Sequence, residues 1–264
     1  RAFLTVGGIA IGVISVVVIS SVGEIGKSAI NSQMTNMGMD SFVVTGDTDN
    51  YSGLWEEDLS SLKNVSEVRN AMPLINYYTE TQLLDKSNLA MVWGVNEDAD
   101  DVIELKVLHG RLLDRGDILG NAKTCVIDEQ LAVNTYGYSD IVGKCIDISV
   151  NGAYEKYEIV GVVSNGVNLL QNMFGDLVPV FVYVPYTTLS NEISQVYFNQ
   201  IAVKLNDESN SECVEKTLEH AIACGREMKT EVEIENLLKQ KSQLNGIADN
   251  LDITIPLWYS LITD

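Results

Sequence analysis

The sequence predicts an α+β domain attached to the membrane by a helix at its start. Two observations favour this class. The 21 residues from Ala2 to Val22 carry no charge, and beyond them short apolar runs typical of strands alternate with amphipathic segments typical of helices. With 46% hydrophobic and 20% charged residues among 264, the remainder is apolar enough to fold around one or two cores.

Residues 1–23 are predicted to form one transmembrane helix, because about 20 apolar residues at about 1.5 Å rise cross the hydrocarbon core of a bilayer. Two alternatives remain open. A secretory signal peptide has a shorter apolar core, and a buried core helix is usually apolar on one face only. Gly7, Gly8 and Gly12 favour close packing of this helix against another. The first residue is Arg1 rather than Met, and we therefore expect the sequence to be part of a longer protein.

The chain is strongly acidic, with 37 Asp and Glu against 17 Lys and Arg and a net charge of −20. This balance argues against nucleic-acid binding, because no basic patch is available to neutralise phosphates. The same charge attracts cations and cationic peptides, and we expect such binding to weaken strongly with salt. An acidic balance that serves only solubility is the alternative.

The segment after the membrane helix is predicted to continue outward as a stalk. Residues 24–39 place apolar side chains at helical spacing, including Ile30 and Met34. Residues 40–46 then form a strand-like run, followed by a polar, glycine-containing loop. We therefore expect globular structure to begin at residue 40.

Four elements are predicted between this loop and residue 104. Acidic residues in its first turn favour a short helix over 55–62, where the carboxylates have a helix-terminal role rather than a catalytic one. The sequence over 65–85 is typical of strands interrupted at Pro73, and 89–95 indicates a buried strand. The acidic cluster over 96–101 lacks the ligand spacing of a calcium loop and indicates a solvated helix start.

The middle of the chain, 105–195, is predicted to be a β-rich unit. Asn151 and Gly152 indicate a hairpin turn, because both residues tolerate positive φ. The predicted elements around this turn are a turn-rich connector over 108–117, a strand and helix over 126–138, a strand over 141–150, a return strand over 154–163 and a strand over 182–186.

The last third of the chain begins with a strand over 200–205 and an amphipathic helix over 211–224 that ends at Gly225. Residues 231–252 are predicted to form a long returning stalk helix. Leu237, Leu244 and Leu251 recur every seven residues there, which is typical of a two-helix seam, although an ordinary surface helix fits the pattern as well.

The stalk prediction pairs this returning helix with the outgoing one. Ile30 and Met34 on the outgoing helix would then meet Leu237, Leu244 and Leu251 on the returning one. The tail over 253–264 has only a short apolar run, too short to span a bilayer.

Four cysteines are present, at positions 125, 145, 213 and 224, without the C-x-x-C spacing of a zinc site. No metal or other cofactor is predicted. Cys125 and Cys145 lie in strand-like runs, and a disulfide between them is possible if the strands are neighbours outside the cell.

No catalytic constellation is evident, and we expect the chain not to be an enzyme. Phosphate-binding, nucleophile-elbow, zinc-protease and dinucleotide motifs are absent from the sequence. His109 in a predicted turn and His220 on a polar helix face have no neighbouring nucleophile pattern, and we expect both to be solvated.

Several stretches and their order resemble a known family. They are RAFLTVGGIAIGVISVVVISSVGEIGK at the first helix, LKVLHGRLLDRGD before the β-rich unit, then CVIDEQLAVNTYG, IVGKCIDI, and YEIVGVVSNGV through to VYVPYTTL. Each is weak alone, but together they resemble the extracytoplasmic part of MacB-like ABC transporter permeases in the superfamily that contains FtsX. The resemblance covers the chain to about Leu251.

The resemblance implies a periplasmic core domain in two parts: an α/β porter-like subdomain, 40–104 and 196–230, and an inserted β-rich sabre-like subdomain, 105–195. It also implies a homodimer that works with an ABC ATP-binding subunit, couples ATP-driven closure to events outside a bacterial cell membrane, and exports or extracts a peptide, antibiotic or lipoprotein. Arg1 would lie on the cytoplasmic side. The alternative is a single-span anchored binding or sensor domain for a cationic ligand, with no ATPase.

Overall fold

A computed structural model describes residues 41–46, 53–103, 105–164, 180–206, 211–225 and 232–236. Its strands are β1 (Ser41–Gly46), β2 (Val68–Leu83), β3 (Lys86–Val95), β4 (Lys106–Gly110), β5 (Thr124–Asp128), β6 (Cys145–Val150), β7 (Ala153–Ser164), β8 (Val180–Pro185), β9 (Gln200–Leu205) and β10 (Val232–Asn236). Its helices are α1 (Glu56–Lys63), α2 (Ala99–Ile103), α3 (Arg115–Leu119), α4 (Glu129–Tyr136), α5 (Tyr186–Ile193) and α6 (Ser211–Gly225). The α+β class predicted from the sequence is confirmed for this part of the chain.

All ten of these strands belong to one mixed sheet. The order is β10-β1-β9-β2-β3-β8-β5-β7-β4, and β6 pairs with both β2 and β7. Alternate residues of one strand enter different clusters: Ile201 and Val203 lie in one core, whereas Ala202 between them lies in another. Because successive strand side chains point to opposite faces, the sheet has a core on each side.

The hairpin predicted at Asn151 and Gly152 is confirmed. These two residues have φ of 50° and 84°, the left-handed values that a type I′ turn requires at both central positions. The turn joins β6 and β7, which pair from Val150 with Ala153 to Cys145 with Glu158. The turn at Asn151 and Gly152 therefore fixes the register in which β6 and β7 pair.

The break predicted at Pro73 is wrong, because β2 continues through it over 16 residues. The strand changes partner at this point. It pairs with β9 up to Leu74 and with β3 from Ile75 onward. A proline lacks the N–H that a ladder needs, and its cost is smallest where one side of the strand has no partner.

The helix predicted to begin at Glu231 is also wrong in its first part. Val232–Asn236 forms β10 and pairs antiparallel with β1. Val232 and Ile234 alternate with Glu233 and Glu235, a period of two that fits a strand, and the partner strand is 190 positions away in the chain. The seam positions Leu237, Leu244 and Leu251 lie outside the described residues.

The predicted membrane helix 1–23 and the outgoing stalk 24–39 also lie outside the described residues, together with Gly7, Gly8, Gly12, Ile30 and Met34. Within the described ranges, no helix combines the length and apolarity needed to cross a bilayer. The tail over 253–264 is likewise not described.

Candidate coupling site

The chain enters and leaves the sheet at one place. In the ladder between β1 and β10, Phe42 is paired with Asn236, so the strand that follows the predicted outgoing stalk lies beside the strand that precedes the predicted returning one. Paired Cα atoms in an antiparallel ladder are about 5 Å apart. The two connections to the rest of the chain therefore leave the domain side by side.

β1 is firmly anchored inside the sheet. It lies between β10 and β9, with five register pairs to each neighbour. Phe42 and Val44 are fully buried in the larger core, and Ile234 of β10 packs against the same core. Hydrogen-bonded ladders thus connect the two strands at the chain ends to β9.

β2 extends the hydrogen-bonded connection from β9 to β3 on the other side of the sheet. Its first half, Val68 to Leu74, pairs with β9, and its second half, Ile75 to Leu83, pairs with β3. Sixteen residues of strand span about 50 Å. β2 therefore runs from its ladder with β9, close to the point where the chain enters the sheet, to the turn after Leu83 that leads into β3.

An ion-pair cluster fastens α2 to the strands near the entry point. The Asp101 carboxylate lies 3.0 Å from Arg69 Nε and accepts a hydrogen bond of 2.7 Å from the Asn70 side-chain amide. Lys204 Nζ donates to the Asp101 backbone carbonyl at 2.7 Å. Since Arg69 and Asn70 belong to β2 and Lys204 to β9, these contacts tie the β3–β4 connection to both strands; we call them the acidic clasp.

A second ion pair extends the acidic clasp to α1. Lys63 Nζ lies 2.7 Å from the Asp98 carboxylate, which also accepts a 3.0 Å hydrogen bond from the Asn96 amide. Asp98 and Asp101 are each only 21% exposed. The acidic cluster 96–101 was predicted to be a solvated helix start; it does lead into α2, but half of its carboxylates are paired.

α5 links the segment around α3 to β3. The Thr187 hydroxyl donates to the Ile118 carbonyl at 2.6 Å, and the Thr188 hydroxyl donates to the Ala122 carbonyl at 2.9 Å. On its other side, α5 packs on β3, where a Cβ added to Gly94 would lie 3.1 Å from the Leu189 side chain. The helix therefore connects the segment around α3 to the centre of the sheet.

The end of α5 forms a partly buried polar network with Lys123 and the β6–β7 hairpin. The fully buried Tyr157 donates from its hydroxyl to Glu192 at 2.6 Å, and Lys123 Nζ lies 2.7 Å from the other oxygen of Glu192. Burial and the contact with Glu192 both raise the pKa of Tyr157. Hydrogen bonds to Glu155 and Glu192 raise the pKa of Lys123. The network joins three segments of the 105–195 region.

A side-chain amide bridges the place where β2 changes partner. Asn199 Oδ1 accepts a 3.0 Å hydrogen bond from the Asn76 backbone N–H and a 3.1 Å hydrogen bond from the Gln195 amide. Asn76 is the second residue of β2 beyond its ladder with β9. The segment after α5 is thus fixed to β2 at the partner change.

The turn within LKVLHGRLLDRGD is held by one bidentate ion pair. Two nitrogens of the Arg111 guanidinium donate to the two Asp117 oxygens at 2.5 and 3.1 Å. Burial raises the pKa of Asp117, but hydrogen bonds from Arg111 and from the Asp114 backbone N–H outweigh it and hold the pKa below its usual value. Asp114 caps α3 by accepting from the Gly116 and Asp117 N–H groups.

The structure contradicts the disulfide predicted between Cys125 and Cys145. Cys125 on β5 pairs with Ile159 of β7, and Cys145 on β6 pairs with Glu158 on the opposite side of the same strand. With one strand between them, the two Cα atoms lie about 10 Å apart, beyond the reach of a disulfide. Both are free: Cys125 is buried, which raises its pKa, and Cys145 is exposed.

The remaining sequence candidates are His109 and His220, both of which were expected to be solvated. His109 lies in β4 rather than in a turn, half-buried, with Nε2 3.0 Å from the Ser139 hydroxyl, whereas His220 lies exposed on α6. Across the described ranges, no three His, Cys, Asp or Glu side chains are arranged to hold a metal ion. The most prominent side-chain contacts are those that join one element to another, namely the acidic clasp and the α5 contacts. The sequence alone indicated neither of them.

Comparison with known proteins defines the class. The model of the MacB-like periplasmic core domain matches residues 2–221. The chain therefore belongs to the MacB-like periplasmic core domain family, and the resemblance predicted from the sequence is confirmed. This class is the extracytoplasmic globular domain of membrane-associated ABC transporter permeases.

Curated relatives agree with this assignment. The chain is 29% identical over 228 residues to the macrolide export ATP-binding/permease protein MacB of Neisseria gonorrhoeae, which covers 83% of this chain and 34% of the relative. The protein of the same name from Haemophilus ducreyi is 29% identical over 214 residues, which is 78% of this chain and 29% of the relative. The chain thus spans about a third of the length of the curated relatives it matches.

Solved structures show the same fold. The periplasmic region of MacB from Actinobacillus actinomycetemcomitans matches with a TM-score of 0.64 at 23% identity, over 80% of this chain and 95% of that one. The extracellular domain of the noncanonic ABC-type transporter YknZ from Gram-positive bacteria matches with a TM-score of 0.59 at 18% identity, over 74% and 98%. The family match and the curated relatives do not favour a single-span sensor domain.

Proposed function

We propose that this domain couples ATP-driven closure on the cytoplasmic side to movement outside the membrane. In this proposal the ATP is hydrolysed by a separate subunit or domain, the full-length parent is a homodimer, and the substrate is a peptide, an antibiotic or a lipoprotein. The chain itself performs no catalysis. Family membership supports the setting in a bacterial membrane.

The observation that carries this proposal is the pairing of Phe42 with Asn236. Two connections that leave a sheet side by side are suited to receive one push or pull from a paired stalk. The outgoing helix 24–39 and a returning helix beyond β10 would form that stalk, with Ile30 and Met34 facing Leu237, Leu244 and Leu251.

The proposal also divides the sheet into the porter-like segments 40–104 and 196–230 and the sabre-like segment 105–195. Hydrogen bonds cross this division, because β3 pairs with β8 over six residues and β2 pairs with β6. Movement that enters through β1 would therefore reach the sabre-like segment through β2, β3 and α5.

Cysteine crosslinking in the full-length parent tests the coupling. Ile30→Cys with Leu244→Cys, together with neighbouring pairs one helical turn away, should crosslink, and the yield should change when a non-hydrolysable ATP analogue is added. Val43→Cys with Glu235→Cys, which are directly paired in the ladder, is the matched control and should crosslink regardless of nucleotide. If no stalk pair crosslinks while the control does, the paired stalk is refuted. If stalk pairs crosslink without any nucleotide dependence, the coupling is refuted.

A further inference from the structure

Six strands of the sheet close on themselves into a ring. β2 pairs with β3, β3 with β8, β8 with β5, β5 with β7, and β7 with β6. β6 then pairs with β2 over two register pairs, one of them between Thr81 and Ile148. A hydrogen bond of 2.7 Å from the Thr79 hydroxyl to the Ser149 carbonyl adds to this closure. Each strand of the ring therefore has a hydrogen-bonded neighbour on both sides.

The ring takes its strands from both of the segments that we assign to different subdomains. β2 and β3 belong to the porter-like segment 40–104, whereas β5, β6, β7 and β8 belong to the sabre-like segment 105–195. A hinge between these segments would have to open the ring at two places, the β3–β8 ladder of six register pairs and the β2–β6 contact. The closed ring therefore joins the two segments without a joint.

The larger core fills the ring. Every strand of the ring contributes at least one fully buried residue to that core, namely Leu83, Val92, Ile127, Ile148, Ile159 and Val182. The same core extends to Phe42 and Val44 of β1, where the chain enters the sheet. Close-packed protein interiors have low compressibility, so a load on one side of such a core reaches the other side.

The other place where the domain could bend is the partner change of β2, between Leu74 and Ile75. Leu74 lies in the smaller core with Leu113 and Tyr183, and Ile75 lies in the larger core. Bending in either direction would open one core and compress the other, and both changes are unfavourable. The hydrogen bonds to Asn199 and the acidic clasp fasten the strands on either side of the same place.

We propose that the domain moves as one rigid lever when the stalk moves, with no hinge between its porter-like and sabre-like segments. The ring then follows every displacement of the chain entry at Phe42 and Asn236. This inference rests on the coupling role proposed above and adds what happens inside the domain. Nucleotide changes the position of the domain and leaves its internal geometry as it is.

Distances between spin labels in the full-length parent test the proposal. One label at Lys216 on α6 and one at Asn134 on α4, both exposed, span the porter-like and sabre-like segments. The labels are attached to genetically encoded unnatural amino acids, and the labelled chain is diluted with unlabelled chain so that each dimer carries one labelled domain. A second sample, labelled only at Asn134, reports the distance between the two copies.

A non-hydrolysable ATP analogue should change the distance between the two copies and leave the distance within one domain unchanged to within about 2 Å. If both distances change by more than this, the domain contains a hinge; the rigid lever is overturned and the coupling role stands. If neither distance changes, the coupling role fails, and the rigid lever fails with it.

A reversible crosslink across the ring provides the second test. Gln82→Cys with Asp147→Cys places two cysteines at a register pair of the β2–β6 contact, where both native side chains are half-buried. Cβ atoms of directly paired residues are about 4.5–5.5 Å apart, which is near the spacing that a disulfide needs. The variant also carries Cys145→Ser, which removes the exposed thiol two positions from Asp147.

The reduced form of the same variant is the matched control. Oxidised and reduced protein should show the same nucleotide-dependent change in the distance between copies, because the ring stays closed throughout the cycle. A change that disappears on oxidation and returns on reduction would show that the ring opens during the cycle, and would overturn the proposal.

Discussion

Replacing Asp101 with alanine is expected to destabilise the domain by about 2 kcal/mol. The change removes the ion pair with Arg69 and the hydrogen bond from the Asn70 amide. A hydrogen bond to a charged group contributes about 1.5–3 kcal/mol, and a half-buried amide left without its partner adds to the loss. Arg69 is 57% exposed and regains water, so its share is small. Lys204 keeps its hydrogen bond to the backbone carbonyl.

The matched control is Asp100→Ala, one position earlier on α2. Asp100 is exposed and its carboxylate accepts only the Asp101 backbone N–H among the described contacts, at 2.9 Å. Substitutions at such surface positions usually change stability by less than about 0.5 kcal/mol. Both variants remove one negative charge from the same helix, so the difference between them isolates the acidic clasp.

Thermal unfolding of the full chain in detergent, followed by near-ultraviolet circular dichroism, measures the effect. For a domain of this size, about 2 kcal/mol corresponds to a fall in Tm of about 4–8 °C. A double-mutant cycle with Asn70→Ala should give a coupling energy above about 0.5 kcal/mol. If Asp101→Ala unfolds at the same temperature as Asp100→Ala, the acidic clasp does not hold α2 to the strands.

Two further predictions concern the turn around Arg111. Gly161→Ala should destabilise the fold by more than about 3 kcal/mol, because a Cβ there would lie 2.0 Å from the Arg111 carbonyl oxygen. Gly143→Asn should cost less: its φ of +82° is strained for any side chain, but no atom lies within 4 Å of the added Cβ and Asn adopts positive φ more readily than most residues. Equal urea midpoints for the two variants would contradict this prediction. Asp117 has a pKa held below its usual value, so it stabilises the fold above about pH 4 and this contribution is lost as the pH falls further. Asp117→Asn should therefore flatten the fall in stability between about pH 5 and 2, and an unchanged slope would refute it.

Elements with a local signal were predictable from the sequence. The Asn151 and Gly152 turn needs positive φ at both positions, and few residues besides Asn and Gly adopt it readily. The helix α1 begins with three acids near its positive end, and Asp58 accepts a hydrogen bond from the Trp55 N–H at 2.7 Å. In each case the interaction that stabilises the element lies within four residues of sequence.

The errors arose where a distant segment decides the outcome. Leu237, Leu244 and Leu251 favoured a helix, and the prediction extended it back to residue 231. Val232–Asn236 pairs with β1 instead, and the sequence near these residues does not indicate that distant partner. Cys125 and Cys145 were placed on strands, but the sequence did not indicate that β7 lies between those strands. The acidic clasp joins Asp101 to Lys204, which are 103 positions apart, and a lone lysine in a strand gives no sign of its partner.

The geometry of β1 and β10 limits the kind of movement that can pass into the sheet. Among the described residues β10 pairs only with β1, so the hydrogen-bonded route from β10 into the sheet crosses the five register pairs to β1 and then the five pairs from β1 to β9. A joint displacement along the strands moves β1 and β10 together and loads the ladder between β1 and β9 in shear, with its five register pairs stressed together. Separation of the two chain ends instead opens the ladder from Phe42 and Asn236, one pair at a time. A stalk whose helices move together is therefore a better driver of this sheet than one whose helices splay apart.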